Sequence, residues 1–206
     1  MSFLADHARL LLIVHTALAV GAVAASTHVV VWMRGYRRGD FRRHTGVRRL
    51  SLYSALLFLG AFIAGNLMYP TYKVQVRAQY LENGGTVIRE RAERDQARAQ
   101  VRERYDRARA QRGAEPLPPP GAPDADADVA RDTARMARWF DVKEHWLALG
   151  LMLALVVAVL ARAWDPRVAG AGIAPAVLLI AVGAALTGWL GAIVGVLVSS
   201  HRAVGG

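Results

Sequence analysis

The chain has 206 residues, 54% of them hydrophobic, with 26 Lys and Arg against 16 Asp and Glu, a formal net charge of +10, and no cysteine. The lack of thiols excludes disulfides, thiolate metal sites, iron–sulfur clusters and covalently attached c-type haem. Any metal or haem has to be held by histidine, methionine or carboxylate.

Four apolar stretches, Leu10–Met33, Leu50–Tyr69, His145–Trp164 and Ile173–Val198, each reach the roughly 20 residues a helix needs to cross a bilayer core. They predict an all-α integral membrane protein, a four-helix antiparallel bundle with a long charged insertion between spans two and three. Three regions follow: a membrane hairpin over 1–70, a charged helical hairpin over 71–140 with a proline-rich linker at 116–128, and a second membrane hairpin over 141–206.

The first span ends in arginines. Its opening, Leu10–Ala24, has the outline of a signal peptide, but the apolar run continues through His28–Met33, which is stop-transfer behaviour. Ala17, Gly21 and Ala25 recur every four residues, a small-residue face that admits a neighbouring helix closely. The link to the second span carries Arg34, Arg37, Arg38, Arg42, Arg43, Arg48 and Arg49 against the single Asp40. Such a basic loop stays cytoplasmic and attracts anionic headgroups. With the 34–49 loop inside, both termini and the 71–138 segment lie outside, in a multi-pass protein of the inner (plasma) membrane.

The second span ends in Asn66, Met68 and Tyr69, and Tyr72–Glu82 continues it to a turn at Asn83-Gly84-Gly85. From Val87 to Arg112 the chain is mostly Arg, Glu, Ala and Gln. Glu90/Arg94 and Glu103/Arg107 have the acid-before-base spacing that supports a solvated helix. Fourteen basic residues between Lys73 and Arg138 are interleaved with eleven acidic ones, so no nucleic-acid patch is implied. A membrane or extracytoplasmic protein partner fits better. After the proline-rich linker, Val129–Phe140 reads as a short helix leading into the third span. In the fourth span Gly188, Gly191 and Gly195 form one inclined face, a candidate for packing or for a homo-oligomer contact. Trp32, Trp139, Trp146, Trp164, Tyr53, Tyr69 and Tyr72 fall near span ends and read as interfacial anchors.

Ionisable groups at membrane depth are functional candidates by default. The topology gathers His15, His145, His201, Met68, Asn66 and Glu144 at the outer level. His15, His145 and Met68 are candidate axial ligands of a single b-type haem. His15, His145, His201 and Glu144 are candidate ligands of a metal such as copper. His28 lies 13 residues after His15, about 140° around the helix, which disfavours two stacked haems and leaves it to bond a neighbouring helix. His7 and His44 read as solvated flanks.

Two functions of different kind result: a non-catalytic membrane subunit or accessory protein that docks a partner through its outer segment, or a redox or metal protein using the outer histidines. A small transporter is a third, disfavoured by the lack of a proline inside any span.

Overall fold

A computed structural model describes residues 7–118 and 124–201. Among these the protein is entirely helical, in chain order α1 (Ala8–Met33), a 3-10 turn (Arg34–Arg38), α2 (His44–Thr71), a π-helix (Tyr72–Leu81), α3 (Gly84–Ala110), α4 (Asp126–Ala163), a short α5 (Pro166–Ala169) and α6 (Ala174–His201). Four helices among the described residues are long and apolar enough to cross a membrane, and they cover the four expected spans except for Trp164 and Ile173 at two ends. Part of the linker, 119–123, and the side chain of His201 lie outside the described residues.

Two boundaries differ from expectation. The segment before the third span is one continuous helix with it, 38 residues long. At about 1.5 Å per residue it extends well beyond a hydrocarbon core of ~30 Å. The second span runs on through Pro70, so a proline does sit inside a helix here.

Packing rests on small residues, as it must where lipid removes the hydrophobic drive between helices and close contact supplies the energy. In α1 against α2, Gly21 faces Leu57, Leu18 faces Gly60 and His15 faces Gly65. In α4 against α6, Leu147 faces Gly191, Gly150 faces Thr187 and Leu153 faces Gly183. In both pairs the residue numbers rise on one helix as they fall on the other. Phe58 of α2 joins the two pairs. Its ring edge lies 3.4 Å from where a side chain at Gly150 would begin and 3.1 Å from the same point at Gly188, so the two glycines form its slot.

The glycine face of the fourth span is therefore occupied within the chain. Gly188 meets Phe58 and Val23, Gly191 meets Leu147, and Gly195 meets Lys143. The core divides into a cluster at the arginine-rich end around Met33, Tyr36, Val47 and Val177, a middle one around Ala22, Phe58 and Leu151, and one at the opposite end around Tyr72, Val76, Leu81, Val87 and Val198.

Candidate functional site

The end of the bundle opposite the arginine-rich link is where the sequence departs most from regular helix. Pro70 has no N–H to donate and crowds the preceding turn. One residue past Thr71 the chain widens into a π-helix, a form concentrated at functional sites. Its buried positions are Tyr72, Val76 and Tyr80, four residues apart, with Leu81 beside the last. Glu82 N donates to Arg77 O at 2.9 Å, an i→i+5 bond.

The same winding places Glu82 beside Arg77, whose Nε donates to Glu82 Oε1 at 2.8 Å. Arg77 Nη1 also donates to Asp141 Oδ1 of α4 at 2.7 Å. One guanidinium thus ties the π-helix to itself and to the third span. Inward of it the Tyr72 ring stacks on Phe140, centroids 3.7 Å apart, with Tyr69 stacked on Phe140 at 6.5 Å. Tyr72 is buried and its hydroxyl has no hydrogen-bond partner among the described residues. It is a packing element rather than an interfacial anchor.

Lys143 continues this layer. Its Nζ lies 5.4 Å from the Phe140 ring centroid and reaches Gly195, where a side chain would stand 3.1 Å away. A cation over an aromatic face is favourable, more so when shielded from water. The ammonium makes no ion pair among the described residues and is within electrostatic reach of His15.

His15 Nδ1 donates to the Ala61 carbonyl at 2.8 Å, bridging α1 and α2, and the absent side chain of Gly65 leaves room for its ring. That bond fixes the tautomer, so the lone pair of the neutral ring is on Nε2. His145 is exposed and its Nδ1 donates back to Asp141 O at 2.8 Å. His28, expected to bond a neighbouring helix, instead donates to Ala24 O of its own helix at 2.8 Å, because its position faces outward. Met68 is buried in α2, Asn66 is exposed and bonds the Phe62 carbonyl, and Glu144 is half-buried. Among the described residues no three His, Asp or Glu side chains gather closely enough to hold a metal ion.

From this layer the arm departs. Asn83 caps α3, its side chain accepting from Thr86 N at 3.1 Å. Val87 packs into the cluster of Tyr72 and Val76, with Ala137 and Leu81. Arg94 Nη2 donates to Tyr80 Oη at 2.8 Å, and Arg91 lies 3.8 Å from Asp126 at the start of α4. The expected pairs Glu90–Arg94 and Glu103–Arg107 both form, each at 3.3 Å. Beyond this base the arm is solvated. Val101 and Tyr105 remain 66% and 53% exposed. The returning chain lies along the arm, with Leu117 N donating to Asp106 Oδ1 at 3.1 Å and Arg102 donating to the Leu117 and Pro118 carbonyls.

Compared with protein-family models, curated proteins and solved structures, the chain matches none.

The opposite end holds the group that sequence reading misplaced. His44, expected to be solvated, is 1% exposed. Its Nδ1 pairs with Tyr36 Oη at 2.8 Å, and its Nε2 is buried without a hydrogen-bond partner. Tyr36 and His44 both meet Trp164 edge-on, at 6.1 and 6.4 Å. Trp164 Nε1 in turn donates to Gly170 O at 3.1 Å. This aromatic knot fastens the first inter-span link to the last. Nearby, hydrogen bonds from the Arg167 guanidinium hold the Asp165 carboxyl below the usual carboxylate range. Only the Tyr36/His44 pairing of two polar aromatics across a short link could have signalled the knot in sequence.

Proposed function

We propose that the protein is a non-catalytic integral membrane subunit or accessory protein: an antiparallel four-helix bundle that docks an extracytoplasmic partner through α3. One observation carries this reading. Of the 27 residues of α3 only Val87, at its base, is buried, yet that base is held from several directions. A solvated helix fixed at one end and exposing Val101 and Tyr105 beyond it is suited to presenting a surface to another protein. In this reading the arginine-rich link is cytoplasmic, following the charge bias of inner-membrane proteins.

The test uses the full chain in its host membrane. A photo-crosslinking residue at position 101 or 105 is expected to give one defined adduct, while the same residue at the lipid-facing position 20 gives none at that mass. Deleting residues 95–116, which spares Val87 and Arg94, is expected to leave the bundle folded and to shift the extracted complex to the mass of the chain alone. An unchanged complex mass together with no adduct would end the docking reading.

A further inference from the structure

At the arginine-rich end the chain turns out of α1 through the 3-10 segment, reverses at Gly39 with φ of 72°, and enters α2. Asp40 fixes the turn. Its Oδ1 accepts from Arg42 N at 3.2 Å and Arg42 Nε at 3.1 Å, and its Oδ2 accepts from Arg42 Nη2 at 3.1 Å. The fold leaves a cleft of about 460 Å³ lined by Val31, Trp32, Gly35, Asp40, Arg42 and Arg43, within the roughly 300–1,000 Å³ of small-molecule sites.

Its two ends differ in chemistry. Trp32 and the half-exposed Val31 belong to the last turn of a membrane-length helix, at the headgroup level where Trp is favoured. The Arg43 guanidinium stands 6.0 Å from the Trp32 ring centroid and makes no ion pair among the described residues. Arg42 is already matched by Asp40. Trp32 in turn rests on Gly46, its ring 2.9 Å from where a side chain at 46 would begin, so the indole is held in place. Asp40 is within electrostatic reach of Arg43 but spends its hydrogen bonds on Arg42. A cation without an ion pair therefore stands next to an apolar wall from a membrane-length helix, which suits a ligand that is anionic at one end and apolar at the other.

We propose that this cleft binds the headgroup of an anionic phospholipid, its phosphate on Arg43 and its acyl region along Val31 and Trp32. The assignment rests on the four helices crossing a bilayer and not on docking by α3.

Native mass spectrometry of the full chain, extracted in micelles holding equal phosphatidylglycerol and phosphatidylcholine, reads the site. The wild type is expected to retain phosphatidylglycerol preferentially. Arg43→Ala, at an exposed position, is expected to weaken that retention roughly tenfold, the loss of one charge-assisted contact, with the melting temperature unchanged. Gly46→Ala should weaken it by displacing Trp32, and Arg98→Ala on the arm should change nothing. Equal retention of the two lipids by the wild type, or unchanged preference in Arg43→Ala, would overturn the proposal. Displacement of the retained lipid by inorganic phosphate would also overturn it, by making the cleft a site for the free anion.

Discussion

Arg77 and Asp141 are 64 residues apart in the chain, and Arg77 Nη1 donates to Asp141 Oδ1 at 2.7 Å. The second hold on that guanidinium, from Glu82, depends on the π-helix. In an α-helix Glu82 would stand about 140° around from Arg77 and could not share its guanidinium. With side chains between a quarter and a half exposed, each arm of the bridge is worth a modest amount. A double-mutant cycle of Arg77→Ala and Asp141→Ala, read by thermal unfolding in detergent, is expected to give a coupling of about 0.5–1 kcal/mol. A coupling of zero would mean that the junction is held by its aromatic stack alone.

Phe58 fills a slot between two glycines, which makes the middle of the bundle sensitive to added atoms. Gly150→Ala puts a methyl against the Thr187 hydroxyl, already bonded to Ala184 O at 2.8 Å, and against the Phe58 edge. The cost expected is about 1–3 kcal/mol. Gly172→Ala meets open space and should be near neutral. Equal melting temperatures for the two variants would contradict the slot.

His15 is expected to act as a bridge between helices. His15→Ala loses the bond to Ala61 O and leaves a gap beside Gly65. Hydrogen bonds between membrane helices average about 0.6 kcal/mol, so the variant should fold with a small drop in stability. His145→Ala loses only a bond within its own helix and should be silent. If His145→Ala proved as costly as His15→Ala, the exposed ring would have to be doing more than its geometry allows.

The Asp165–Arg167 clasp carries a pH dependence with a definite sign. The folded carboxyl is held below its unfolded range by the Arg167 guanidinium. Its contribution is therefore complete above the unfolded carboxylate range near pH 4 and is lost as pH falls through the folded value. Asp165→Asn keeps an oxygen to accept from Arg167 N but not the charge. The variant should melt below the wild type at neutral pH and converge with it in acid. Parallel curves down to acid pH would show that the clasp is energetically idle.

The absence of cysteine makes orientation directly measurable. A single cysteine at position 101 should react with a membrane-impermeant maleimide in intact cells, and one at position 38 only after lysis. The reverse pattern would invert the membrane orientation.

The spans were legible because length and hydropathy are properties of a local run, and Leu10–Met33 or Ile173–Val198 differ from the observed helices by only a few residues at their ends. The charged arm was legible for the same reason, since Glu90/Arg94 needs only helical spacing. What escaped depended on contacts between distant segments. His44 looked solvated because its neighbours in sequence are arginines, while its partners are Tyr36 and a tryptophan 120 residues on. Tyr72 read as an anchor because its stacking partner, Phe140, is remote. The π-helix left two traces, Pro70 and the five-residue spacing of Arg77 and Glu82, neither decisive before the Asp141 partner is seen. The ring nitrogens of His15 and His145 answer to nearby carbonyls, a local choice of partner that spacing does not announce.

The π-helix is continuous with the second span, so the compass bearing of everything beyond it depends on a residue count. Each residue there advances the chain through fewer degrees than the ~100° of an α-helix. Removing one residue between Thr71 and Glu82 would favour rewinding toward α geometry and would swing α3 around the bundle axis, carrying Val101 and Tyr105 to a different quarter. A change of one residue in length would re-aim the arm and, in the same stroke, pull Tyr72 and Arg77 away from Phe140 and Asp141, so the direction of the arm and the closure of this end of the bundle are set together.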